Sequence, residues 1–105
     1  MPAKKVAIMV DEMYQVLEVW FPYYRLKEAG LEVNFVAAEA KKEYHSKEGY
    51  PCISEVAASE TDAGEYDCIV VPGGFAPDFM RRNSDVIKFA NDIVNAEKVI
   101  AAICH

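Results

Sequence analysis

Residues 67–74 read DCIVVPGG. Cys68 to Val71 form an unbroken apolar run ending in three β-branched residues, which predicts a strand covered on both faces rather than one half-open to water. Pro72 cannot donate to a ladder, and Gly73-Gly74 breaks the run, so the strand stops abruptly. The same kind of segment recurs to either side. Lys5 to Val10, KVAIMV, runs into Asp11-Glu12, and Lys98 to Ile103, KVIAAI, runs into Cys104-His105. Leu31 to Ala37, LEVNFVA, alternates and then turns apolar, which predicts a further strand.

Helical spacing fills the gaps. Between residues 15 and 29, Val16, Val19, Trp20, Tyr23 and Leu26 fall near a 3.6-residue period. Pro22 inside this stretch predicts a bend, and Gly30 a stop. Pro77 to Asn95 predicts a second main helix, with Ser84 as its N-cap and Val86, Ile87, Phe89, Ala90, Ile93 and Val94 as its apolar face. Residues 39–51 are charged and carry Gly49-Tyr50-Pro51, as expected of a surface loop or short hairpin. Residues 53–65 are ambiguous, with a helical turn expected near Val56 to Ala58. Short apolar strands alternating with amphipathic helices predict an α/β domain, with a parallel sheet and right-handed crossovers placing helices on both faces. At 105 residues this is one domain, 1–105.

Composition narrows the function. The chain is 52% hydrophobic and 27% charged, a globular balance. With 17 acidic against 11 basic residues, its net charge of -6 disfavours nucleic acid as a partner. No apolar run approaches the ~18 residues of a membrane span. The opening MPAKKVAIMV has no hydrophobic region of signal length. An odd count of cysteines, Cys52, Cys68 and Cys104, then suggests free thiols in a reducing, cytoplasmic setting. No ligand spacing suggests a metal. The acidic loop Asp11-Glu12-Met13-Tyr14 lacks a phosphate cradle for a flavin, so no cofactor is expected.

In parallel sheets chemistry gathers beyond the carboxyl ends of the strands. Those ends supply Asp11, then Gln15 and Glu18 at the head of the first helix, then Gly73-Gly74, then Cys104 and His105. A thiol is a strong nucleophile only as thiolate. Lowering its pKa from about 8.5 to about 6 takes roughly 3.4 kcal/mol. A helix N-terminus supplies at most about 2, so a neighbouring imidazolium or a hydrogen bond must add the rest. The residues alone leave each part open. Cys104 reads as a core cysteine or a nucleophile, Pro72-Gly73-Gly74 as a plain turn or a backbone donor, and Glu18 as a solvated helix residue or a site acid. Cys68, at the opposite end of its strand, reads as structural, Cys52 as a loop thiol, and His45 as solvated.

VVPGGFAPD (70–78) and AAICH (101–105), together with FPYYRLKEAGLEV (21–33) and KEGY (47–50), resemble the PfpI-like family of intracellular cysteine peptidases. That family lies within the class I glutamine amidotransferase-like superfamily, which also holds the parkinsonism-associated deglycase. The resemblance runs in order over nearly the whole chain. It implies a flavodoxin-like three-layer sandwich with its nucleophile on an elbow. By position, Cys104 matches the nucleophile, His105 the adjacent histidine, and Glu18 the acid bonded to the nucleophile. Gly74 matches a backbone oxyanion donor, with the His105 N–H as the other. Asp78 matches an acid that reaches the histidine of a neighbouring subunit, which implies a homo-oligomer. The implied activity is hydrolysis of peptides or amides. Glyoxalase- or deglycase-type action on methylglyoxal or its adducts is a second possibility, and a redox sensor or chaperone acting through Cys104 a third. Gln15 stands where peptidase members often carry a second glutamate, Asp78 is shorter than the usual glutamate, and Glu48 replaces a frequent histidine. The family also continues past the residue matching His105, so the 105 residues are expected to be the amino-terminal portion of a longer protein, its remainder a separate chain or lost by cleavage at the reactive thiol.

Overall fold

The structure is a computed structural model that describes residues 4–103. Its centre is a parallel five-stranded sheet in the order β5-β2-β1-β6-β7. The strands are β1 (Lys5–Met9), β2 (Glu32–Ala37), β5 (Val56–Ala57), β6 (Cys68–Val71) and β7 (Val99–Ala102). β1 lies in the middle, Val6 opposite both Val33 of β2 and Cys68 of β6. Burial on both faces explains its unbroken apolar run: Val6 to Val10 are all buried.

Two crossovers build the outer layers. Helix α1 (Val16–Glu28) links β1 to β2, while α2 (Ala76–Met80) and α3 (Ser84–Asn95) link β6 to β7. The first moves outward on one side of β1 and the second on the other. Right-handed connections in opposite directions put their helices on opposite faces, giving the expected flavodoxin-like three layers. α3 buries Val86, Phe89 and Ile93, one stripe at helical spacing. α1 fully buries only Val19, with Val16, Trp20, Tyr23 and Leu26 packed against the core's edge.

α1 runs through Pro22 as one helix. It ends where Gly30 is expected to end it: Gly30 has φ +89°, its N–H donates to Lys27 O (3.0 Å), and the Leu31 N–H donates to Leu26 O (3.1 Å). This pair of bonds is a Schellman motif, which needs a residue tolerant of left-handed backbone.

Four expectations are corrected. The helix predicted over Pro77 to Asn95 is two helices, because Asn83 is extended (φ −111°, ψ 117°). Asn83, not Ser84, caps α3, its Oδ1 accepting the Asp85 and Val86 N–H groups at 3.0 Å each. The turn expected near Val56 is instead β5, which pairs with Val36 and Ala37 at the outer side of β2, and a 3₁₀ turn follows over Ala58–Glu60. Cys52 is not a loop thiol. Residues 43–53 form a hairpin of β3 (Glu43–His45) and β4 (Pro51–Ile53), in which Cys52 sits opposite Tyr44 and both are buried.

Candidate active site

The strands β1, β6 and β7 end side by side. Val71 is paired with Ala102, and the Ile103 N–H donates to Val71 O at 3.0 Å. Cys104 and His105 follow next in the sequence and lie outside the described residues. The groups around this edge are laid out by three short segments.

Glu18 stands in the first turn of α1, half-buried. Its Oε1 accepts the Gly73 N–H at 2.7 Å. The Glu18 side chain is thereby tied to the end of β6 rather than spread on a solvated face.

The turn after β6 is held just as firmly. Tyr14 and Gly74 form an antiparallel bridge, flanked by Gln15 N–H to Gly73 O (3.3 Å) and Phe75 N–H to Met13 O (2.9 Å). Gly74 has φ +81°, and a Cβ there would lie 2.6 Å from Met13 O and 2.8 Å from Gln15 N. Both are backbone atoms, so only glycine fits. Of the two glycine amides, Gly73 is bound by Glu18. Gly74 has no acceptor among the described residues.

Asp78 lies apart from this pair. It occupies the first turn of α2, its side chain 63% exposed, and its Oδ1 accepts from Arg81 Nη1 at 2.6 Å. Asp11, at the end of β1, is half-buried. Burial pushes its carboxyl up, opposed by the Glu12 N–H that donates to Oδ1 at 2.7 Å. His45 is not simply solvated: it stands between Glu43 (2.9 Å) and Glu12 (3.8 Å). Burial pushes the Cys52 thiol up to about 12, and raises that of Cys68, with Asp67 adding to the effect. Both shifts favour the protonated, less reactive thiol. No cluster of metal-binding side chains occurs among the described residues, and none of the described helices is long and apolar enough to cross a membrane.

Tyr14 and Ser46 were not singled out by sequence. Tyr14 is fully buried and bonded at its hydroxyl; buried Ser46 closes the hairpin loop by accepting the Glu48 and Tyr50 N–H groups. An aromatic residue two places after Asp11-Glu12, where the chain leaves the sheet, was the available signal.

The family model described as DJ-1/PfpI family matches residues 4–105. The chain belongs to the DJ-1/PfpI family. It is 35% identical over 103 residues to a Bacillus subtilis protein named "Putative cysteine protease YraA", covering 98% of this chain and 61% of that one. It is also 35% identical to a protein of Pyrococcus abyssi named as a deglycase, covering 96% of this chain and 60% of the other. Among solved structures, it superposes with a TM-score of 0.94 and 36% identity on a two-domain Anabaena variabilis protein with DJ-1/ThiJ/PfpI-like and ferritin-like domains. That match covers 97% of this chain and 30% of the other. The chain spans about 60% of the length of the curated DJ-1/PfpI relatives it matches. These relatives carry the names of two activities, and both are enzymatic.

Proposed function

We propose that the protein is a cysteine-dependent hydrolase of peptides or amides, with Cys104 as the nucleophile. The observation that carries this reading is the Glu18–Gly73 hydrogen bond of 2.7 Å beside the Gly74 N–H, which has no acceptor among the described residues. It puts a carboxylate and a backbone donor at the edge toward which β7 runs. In this mechanism the Cys104 thiol gives its proton to His105, and the sulfur adds to the substrate carbonyl carbon. The Gly74 and His105 N–H groups receive the developing oxyanion. The C–N bond breaks, His105 returns the proton to the departing amine, and water hydrolyses the thioester. Glu18 hydrogen-bonds the sulfur; to favour the thiolate it must be protonated and donating. Asp78 orients His105 of a second copy in a homo-oligomer, which its exposure permits once Arg81 lets go. A reducing, cytoplasmic setting accords with Cys52 and Cys68 being free thiols.

The decisive measurement compares the full chain with its Cys104→Ser variant on a fluorogenic peptide amide. Turnover lost in the variant supports the reading; full turnover retained rejects it.

One observation favours the second reading, a deglycase or glyoxalase. Asp78 is held by Arg81 of its own copy at 2.6 Å, which leaves Glu18 as the carboxylate bonded at the sheet edge. Thiolate addition to an aldehyde needs no leaving amine, so Cys104 and Glu18 suffice to form a hemithioacetal and move its protons. Lactate released from methylglyoxal, with no peptide cleavage, selects this reading.

A further inference from the structure

The segment Met13 to Gln15 does not hold its own shape. Met13 sits at φ +62°, a left-handed conformation that strains an ordinary side chain. Backbone hydrogen bonds clamp the segment from both sides. On the hairpin side, the Met13 N–H donates to His45 O (2.8 Å) and the Lys47 N–H to Tyr14 O (3.0 Å). On the other side stand the Phe75 and Gln15 bonds to the glycine turn. Between the two, the Tyr14 side chain is wholly buried, its hydroxyl donating to Tyr50 O at 2.8 Å and accepting from Trp20 Nε1 at 3.2 Å. A buried hydroxyl is tolerated at this depth only because both bonds are made. There is no slack between this segment and Gly74, as the 2.6 Å approach of a would-be Cβ to Met13 O shows. Wherever residues 13–15 go, Gly74 must go.

We propose that Tyr14 is a positioning residue: its hydroxyl, anchored on the Tyr50 carbonyl and on Trp20, sets the place of the Gly74 N–H and so the quality of the oxyanion site. This rests on Gly74 being the oxyanion donor of the proposed reaction. The Tyr14 hydroxyl touches no reacting atom; it acts through the strap it pins.

Tyr14→Phe keeps the ring and removes only the hydroxyl. Loss of a whole oxyanion donor costs about 100- to 1,000-fold in kcat, so a displaced one is expected to cost roughly 10-fold, with KM within about twofold. Alkylation of Cys104 by iodoacetamide develops no oxyanion and keeps its wild-type rate, a split that general loosening of the fold does not produce. Trp20→Phe removes one of the two anchors and leaves the Tyr14–Tyr50 bond, so it is expected to lower kcat by less than Tyr14→Phe does. Independently of any activity, hydrogen exchange at the Gln15 and Phe75 amides speeds up in Tyr14→Phe by about 10-fold, because their bonds to Gly73 and Met13 loosen. An unchanged kcat with unchanged exchange overturns the inference. Should the wild-type chain turn over neither substrate, the proposed function fails and exchange alone decides: faster exchange in Tyr14→Phe upholds the positioning role, and unchanged exchange rejects it.

Discussion

Single side chains decide which thiol reacts. Cys52 is held protonated by burial up to about 12, and Cys68 is shifted the same way. At pH 7 iodoacetamide is therefore expected to label Cys104 alone in the folded protein, and all three cysteines in urea; peptide mass spectrometry distinguishes the patterns. The same burial makes stability sensitive to alkali. Below pH 9.0, the ordinary value for the Cys52 thiol, both folded and unfolded chains keep that proton and its full contribution is present. Above it the unfolded chain ionises first, so stability falls until the folded thiol titrates near 12. Tyr14, raised from 10.0 to about 12, acts in the same direction from a higher starting point. The urea midpoint is expected to drop from pH 9.0 upward in the wild type, and less steeply over the same range in Cys52→Ala, where Cys68 still contributes. Glu18→Gln keeps an acceptor for the Gly73 N–H but removes the acid. Turnover is expected to fall about 100-fold, in the range of lost general acid–base catalysis, while the thermal midpoint stays within a few degrees. Equal losses of both would reduce Glu18 to a structural tie.

At the level of elements, the breaks matter more than the runs. The interval between α2 and α3 exists because Asn83 satisfies two amide donors that a continuous helix would not leave open. Asn83→Ala is expected to cost about 1 kcal/mol of stability without altering turnover, checked by urea unfolding beside the activity assay. Ser84 drew attention in the sequence because serine is a good cap; Asn83, one residue earlier, is at least as good, and only the backbone dihedrals choose between them. The glycine turn is the stricter case. Gly74→Ala puts a Cβ against Met13 O at 2.6 Å and strains φ +81°. It is expected to destabilise the protein by more than about 1 kcal/mol and to abolish turnover, since the strap of residues 13–15 has no room to retreat.

Across the whole molecule, stability follows the strand order. β1 is paired on both sides and covered on both faces, whereas among the described residues β7 pairs only with β6 and exposes Val99 at 65% and Ile100 at 43%. Amide exchange is expected to be slowest in β1 and fastest, among the paired strands, in β7. Equal protection of the two would show that β7 is covered in solution. The proposed chemistry sits at the less protected end of this gradient.

The residue pattern was enough for a parallel sheet, for four of its five strands and for crossovers that put helices on both faces, because continuous apolar runs such as 5–10 and 68–71 fit a strand buried on both faces. It was also enough for Gly30 and for the family, since both rest on local motifs. It did not reveal Cys52 in the core, β5, the tie from Glu18 to Gly73, or Tyr14 behind Gly74. Each of those joins segments distant in sequence, Glu18 and Gly73 being 55 residues apart. A hydrogen bond or a buried face across such a gap is chosen by the packing of the whole, where an unpaired polar group would cost more than any local preference returns.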